Sequence, residues 1–197
     1  MYDFIFKSFF DFVFSLILIP FCLPIFLIVL LSIFITIGSP IFSIHERPKR
    51  FKKTFRIYKF TTMLQDKNLL NENSVAPFGQ FLGATSIDEI QQLFNVLIGD
   101  MSLIGPRQLF VEYNGHFDKE QNKILKAGPG ISGLAQVKGR NTLSWNDKFA
   151  LDVKYVENIS FIEDVKIFML TLLVALKSSG FKKSGEANTF TESIDEE

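Results

Sequence analysis

The sequence predicts a mainly α fold with a small β element, an α+β domain preceded by a membrane helix that two prolines interrupt. Three observations lead there. Residues 12–44 carry no charged side chain, which is not how ordinary core helices read. Ile87, Ile90, Leu93, Phe94, Leu97 and Ile98, and later Val165, Phe168, Met169, Leu172, Leu173 and Leu176, recur at the spacing of one helical face. After the apolar run, Ile41, Phe42 and Ile44 alternate with polar residues, as in a short strand or hairpin.

The first element is the apolar run. It is too long for a signal peptide and no Ala-x-Ala-like cleavage site follows it. Pro20 and Pro24 lie in its middle; each lacks an N–H and crowds the carbonyl one turn earlier, so a kink or opening is expected there. Residues 25–37 alone would reach roughly 20 Å, short of a hydrocarbon core of about 30 Å. Lys7 precedes the run, while Arg47, Lys49, Arg50, Lys52, Lys53, Arg56 and Lys59 follow it, and positive flanks prefer the cytoplasmic face. A hairpin that leaves by the face it entered satisfies length and charge; a single tilted, kinked spanning helix remains the alternative. Three regions result: an anchor at 1–45, a compact domain at 46–180 and a tail at 181–197.

The compact domain opens on a stretch, residues 51–63, that interleaves aromatic and basic side chains. Beside a membrane such a stretch meets lipid headgroups or a phosphorylated ligand. Residues 64–77 are polar and rich in Asn, as a surface loop is. Ser86 with Glu89 three residues on reads as a capping box, starting a helix at Ile87 that Gly99 ends. Gly105-Pro106-Arg107 and Gly128-Pro129-Gly130-Ile131-Ser132-Gly133 predict ordered loops that offer backbone amides to a ligand. Helices are expected from Ser144 through Tyr155 and over 161–178, with Gly180 stopping the second. Beyond it periodicity is lost and the chain ends in acids, the pattern of a disordered tail.

Composition narrows the chemistry. The chain has 197 residues, with 21 Lys and Arg against 21 Asp and Glu, so no overall field points to nucleic acid. Cys22 is the single cysteine and there are two histidines; this excludes an intrachain disulfide, argues against structural zinc, and leaves oxygen ligands for any metal. Asp88 and Glu89 are adjacent carboxylates at the expected helix start. Acids stand at helix starts for structural reasons too, since they complement the helix dipole. The dyad draws attention through its company: Asn95, Asp100, Arg107, Arg140 and the two Gly-Pro loops.

These residues resemble a known family. Residues 86–97, then Gly99-Asp100-Met101-Ser102-Leu103-Ile104-Gly105-Pro106-Arg107, are similar to the signature of the bacterial sugar transferases, the monotopic polyprenyl-phosphate phosphoglycosyl transferases. The likeness continues through Pro129-Gly130-Ile131-Ser132-Gly133, Ala135-Gln136-Val137 and Gly139-Arg140-Asn141, and upstream includes Tyr58-Lys59-Phe60 and Thr62-Met63. The resemblance implies a re-entrant anchor bent at Pro20 and Pro24. It also implies transfer of a sugar phosphate from a UDP-sugar to polyprenyl phosphate with release of UMP, on the cytosolic face of the bacterial inner membrane. Asp88 matches the nucleophile of the family's dyad and Glu89 its partner, both near Mg2+. Lys59, Arg107 and Arg140 would bind substrate phosphate, Arg107 bidentately. Membrane lipids are the expected surroundings, nucleic acid is not a partner, and a homodimer is compatible with a sequence that leaves the oligomeric state open.

The chain also departs from the pattern. Gly83, Thr61 and Gly128 stand where the family commonly has basic residues, Gln108 replaces a proline, Leu134 a tryptophan, and Leu23 a small residue. Three fewer cations would weaken phosphate binding by a few kcal/mol if each charge-assisted contact contributes ~1.5–3 kcal/mol. A non-catalytic relative acting as a lipid-binding or partner-binding scaffold is therefore the alternative function. A third is a small helical membrane protein in which the dyad only caps a helix.

Overall fold

The computed structural model describes residues 4–36, 38–50, 53–61, 77–85, 87–107, 120–139 and 142–177. The 64–76 loop, Ser86 of the expected capping box, Gln108, Arg140, Asn141 and the 181–197 tail lie outside the described residues. The fold is α+β, as the sequence predicts: a long apolar helix, five further α-helices of five or more residues, a β-hairpin and one short parallel strand pair among the described residues.

Helix α1, Phe4–Thr36, runs through both prolines. Both prolines, where a kink or opening is expected, therefore lie within one helix. Each proline removes a single i→i−4 bond, and their four-residue spacing puts both losses on one exposed side of the helix, so the opposite side keeps its ladder. Polar side chains within α1 bond to their own backbone: Ser15 to the Phe12 carbonyl at 2.9 Å, Ser32 to Ile28 at 2.8 Å and Thr36 to Ser32 at 2.7 Å. In apolar surroundings that is the local way to satisfy a hydroxyl.

After Gly38, whose φ of 91° suits glycine, the alternating residues enter β1, Phe42–Pro48, which pairs antiparallel with β2, Thr54–Phe60. β1 runs through residue 45, where the sequence puts the end of the anchor. Phe42 and Phe60 stack at 5.3 Å between centroids, and Phe26 of α1 lies 5.3 Å from Phe60. With Val29, Ile33 and Leu82 they form one core. Leu82 belongs to α2, Pro77–Thr85, a helix that the sequence reading missed and that begins on a proline, a favoured first helical position.

The predicted helix at 87–98 is shorter than its periodicity suggests. A 3-10 turn, Ile87–Glu89, precedes α3, Gln92–Leu97, whose N-terminus has no side-chain cap. Gly99 with φ 78° ends it, as expected. The Gly-Pro segments are not open amide cradles. The first follows β3, Ser102–Ile104, and the second contains β4, Gly130–Ser132, paired with it in parallel, and two of their amides are already used: Gly105 donates to the Ser132 carbonyl and Gly130 to that of Pro106. Here glycine is required by space, because a Cβ on Gly130 would lie 2.1 Å from the Gly105 nitrogen and one on Gly133 2.2 Å from the Gly105 oxygen.

A 3-10 helix, Gln121–Lys126, packs against α5, Trp145–Glu157, and α4, Leu134–Lys138, lies between β4 and α5. Ser144 caps α5 through the Asp147 amide at 3.1 Å. Helix α6, Phe161–Lys177, buries Asp164 and Ile167 and packs Phe168 of the predicted stripe against the core. Val165, Met169, Leu172 and Leu173 of that stripe are exposed and point away from the domain.

A polar network ties α1 to this domain. Lys7 pairs with Asp164, whose other oxygen accepts the Tyr155 hydroxyl at 2.6 Å; that hydroxyl also lies 3.2 Å from the Ile104 carbonyl. Asp11 accepts from the Ser102 hydroxyl and from the Leu103 amide at 3.1 Å. Tyr155→Phe should lower stability by about 1–3 kcal/mol, since it leaves buried acceptors short of a donor; thermal unfolding in detergent reads this as a lower Tm. Gly130→Ala should be worse, about 3 kcal/mol, because backbone rather than a yielding side chain opposes the new methyl. An unchanged Tm for Gly130→Ala would contradict the backbone packing described.

Candidate active site

Asp88 and Glu89 occupy the 3-10 turn between α2 and α3, where Ile87 packs into the core shared by α1 and β2. The turn is three residues long and the chain passes through Gln91, itself in the αR region, into α3, so the two acids stand in the first turn of this helical segment.

The two carboxylates have different surroundings. Lys59 of β2 holds Glu89 at 2.8 Å, both side chains largely buried. Asp88 is pushed up to about 6, chiefly by burial and next by the Glu89 charge, against the opposing pull of Lys59 and Arg107. Two acids side by side thus differ in surroundings: Glu89 is paired with Lys59, while Asp88 is raised by burial and by its neighbour. Arg107 follows β3, bridged to Gly130; its side chain is exposed, and its charge acts on Asp88.

The structure therefore brings Asp88, Glu89, Lys59 and Arg107 into one electrostatic neighbourhood. Other residues of the sequence reading have structural places. Asn95 is buried and donates to the Arg56 carbonyl at 2.9 Å, and Asp100 pairs with Lys49 at 2.7 Å. Pro20 and Pro24 lie on the outer side of α1. At Gly83 and Gly128 a Cβ would meet nothing within 4 Å, so these positions leave room and supply no charge.

The dyad is a credible metal partner by donor chemistry. Among the described residues no cluster of three His, Cys, Asp or Glu side chains exists. Mg2+ does not need one, since it binds through one or two carboxylates and fills its remaining positions with substrate phosphate and water. A carboxylate raised by its neighbour's negative charge is what a cation would relieve.

Sequence reasoning overlooked a second group. Arg107, Gln136, Trp145, Lys148, Phe149 and Asp152, with Ala135, line a small, shallow cleft between α4 and α5. Asp152 is buried, with the Arg107 amide 3.3 Å from one oxygen; burial pushes it up to about 7, against the Arg107 and Ala135 amides and the Arg107 charge. The signal was present, since Asp152 lies on the buried stripe Phe149, Asp152, Tyr155, where an apolar residue is expected.

The family model described as "Bacterial sugar transferase" matches residues 2–178. A Bacillus subtilis (strain 168) protein named as an uncharacterized sugar transferase, EpsL, is 43% identical over 166 residues, covering 81% of this chain and 82% of its own length. The undecaprenyl-phosphate galactose phosphotransferase of Salmonella typhimurium is 33% identical, covering 73% of this chain and 35% of its own. The UDP-glucose:undecaprenyl-phosphate glucose-1-phosphate transferase of Klebsiella pneumoniae is also 33% identical, covering 85% and 39%. The chain thus spans most of the first relative and well under half of the other two. With the dyad, the glycine-packed strand pair and the apolar helix all inside the matched region, this chain belongs to the bacterial sugar transferase family.

Proposed function

We propose that this protein transfers a sugar 1-phosphate from a UDP-sugar to polyprenyl phosphate, releasing UMP, through a covalent intermediate on Asp88. The observation that carries this reading is the dyad: the Asp88 carboxyl, pushed up to about 6, beside Glu89 paired with Lys59, with the charge of Arg107 acting on Asp88. The names of the Salmonella and Klebsiella relatives support the reaction class.

An Asp88 carboxylate oxygen attacks the sugar-linked phosphorus, and the bond from that phosphorus to the UMP oxygen breaks with its electron pair leaving on UMP. An oxygen of polyprenyl phosphate then attacks the same phosphorus, and the Asp88 carboxylate departs regenerated. Arg107 orients the transferring phosphoryl group, which a planar guanidinium can grip through two donors. Lys59 fixes Glu89 and keeps positive charge beside Asp88. Mg2+ held by Asp88 and Glu89 would supply charge neutralisation between carboxylate and phosphates.

The acceptor's location is explained by the outer surface. Both ends of α1 touch one domain: Lys7 and Asp11 reach α6 and β3, while Val29 and Ile33 reach β2 and α2. Residues 7 to 33 would stretch about 39 Å as a straight helix, more than a hydrocarbon core. A domain bearing Lys49, Arg56 and the dyad cannot accompany that whole length through lipid without burying several charged side chains. Lying in one face of the bilayer, α1 presents Phe21, Ile28 and Ile35 to lipid, next to the exposed Ile98 of α3 and Met169 and Leu173 of α6. This re-entrant, cytosolic-face arrangement puts the dyad where a water-borne donor meets a lipid phosphate. The open positions at Gly83 and Gly128 are the specific observation favouring a scaffold role instead.

Purified protein given UDP-sugars, Mg2+ and undecaprenyl phosphate should release UMP from at least one donor, and Asp88→Asn should reduce the rate by at least about a thousandfold. Release at the wild-type rate in that variant would remove Asp88 from the chemistry. Because Asp88 is nucleophilic only when ionised, kcat/KM should rise with pH through about 6 and level off above it. Lys59→Met removes a charge that pulls Asp88 down, so the rising limb should move to higher pH; movement to lower pH would contradict the assignment.

A further inference from the structure

The 3-10 turn that carries the dyad is held on both sides by apolar packing. Ile87 enters the core shared by α1 and β2, and Ile90 lies against Ile19, Cys22, Leu23 and Phe26 of α1. The backbone bonds here are of the tight i→i+3 kind, from the Ile90 amide to the Ile87 carbonyl at 3.2 Å and from the Leu93 amide to the Ile90 carbonyl at 3.1 Å. A single turn of that geometry is weakly held by itself. Gln91 adds a contact of another kind: its side-chain Nε2 donates to the backbone carbonyl of Asp88. The residue is only 5% exposed, and its Oε1 is buried with no hydrogen-bond partner among the described residues. Turning the amide over would set oxygen against oxygen, so its orientation follows from the bond. A buried amide that satisfies one end and leaves the other empty is unfavourable beside an apolar side chain of the same length. Gln91 is therefore explained by what its one side-chain bond holds, and not by packing.

We propose that Gln91 is a positioning residue for the transfer: it clamps the peptide of Asp88 and thereby fixes the direction in which the nucleophilic carboxylate meets the donor. This rests on the reading of Asp88 as the residue that attacks. Gln91 acts through the main chain and not on the reacting atoms. Displacement at phosphorus needs the attacking oxygen in line with the departing one, and misplacing a positioned group by about 1 Å costs on the order of a hundredfold in rate. The charged neighbours of Asp88 are Glu89 in its own turn, Lys59 on β2 and Arg107 after β3. They set the field around the carboxylate but do not hold its peptide. That is left to the Gln91 amide, with Ile87 and Ile90 on either side. Because donor and carbonyl lie three residues apart, the clamp forms with the turn itself.

A burst of UMP measured without polyprenyl phosphate separates positioning from folding. Under the covalent reading each working site then releases a single UMP, so the burst amplitude counts folded, donor-competent protein and the burst rate constant reports the attack by Asp88. The full chain in nanodiscs, with Mg2+ and a UDP-sugar that the wild type uses, is compared with Gln91→Met, which keeps the length and removes the donor. The rate constant should fall about ten- to a hundredfold, while the amplitude and the donor concentration giving half the maximal rate stay within about twofold. An unchanged rate constant overturns the proposal. So does a loss confined to the amplitude, which would make Gln91 a residue of stability alone. Should Gln91→Met not fold, Gln91→Glu keeps the shape and, above neutral pH, puts an acceptor-only carboxylate where the amide donates; a wild-type rate constant in that variant overturns the proposal equally. A wild type that releases UMP only when the acceptor is present would sink the covalent reading and the clamp's purpose with it. A wild-type burst that the Gln91 variants leave as fast sinks the clamp alone and keeps Asp88 as the nucleophile.

Discussion

The rest of the structure depends on how the charged start of an apolar helix is satisfied. Lys7 and Asp11 would be costly on a helix surrounded by hydrocarbon, and neither faces it. Lys7 meets Asp164, Asp164 meets the Tyr155 hydroxyl, and Asp11 takes the Ser102 hydroxyl and the Leu103 amide. These contacts join residues separated by up to 157 positions in the chain. They convert a membrane anchor, which could have been a tether, into a structural member of the domain. Buried polar groups of this kind are valuable because they have few alternative arrangements, and expensive when half satisfied.

From that fixed helix the site follows by contact. The middle of α1 faces α3 through Cys22, Leu23 and Phe26 against Ile90, Leu93 and Phe94, and its last turns face Phe60 and Leu82. β2 therefore lies at a set distance from α1, and Lys59 on β2 reaches Glu89 in the 3-10 turn. On the other side, Asp11 binds β3, β3 pairs with β4 through glycines that tolerate no side chain, and Arg107 emerges where β3 ends. The two groups that act electrostatically on Asp88, Lys59 and Arg107, thus arrive from separate strands that α1 holds together. Membrane attachment and site geometry are set by the same packing.

Much of this was legible in the sequence, and the exceptions have physical causes. The apolar run, the hairpin, α5, α6 and the dyad all announce themselves through charge, periodicity or spacing. The direction of the α6 stripe did not, because helical periodicity shows that one face is apolar but not whether protein or lipid covers it. Val165, Met169 and Leu173 satisfy the pattern of a core face and point outward. Gly105, Gly130 and Gly133 suggested ordered loops offering amides to a ligand, since local sequence cannot distinguish glycine needed for conformation from glycine needed for close backbone approach. Asp152 was overlooked because a single acid in a mixed helix carries little signal until its neighbours Phe149 and Tyr155 are known to be buried.

The claim on which the account turns is that α1 enters and leaves the bilayer by one face. It is tested most directly by replacing Cys22 with serine, placing single cysteines at Lys7 and at Ser39, and labelling with a membrane-impermeant maleimide in intact cells and in inverted vesicles. Both positions reacting only in inverted vesicles is the predicted result. Reaction of one position from each side would make α1 a spanning helix and contradict the account.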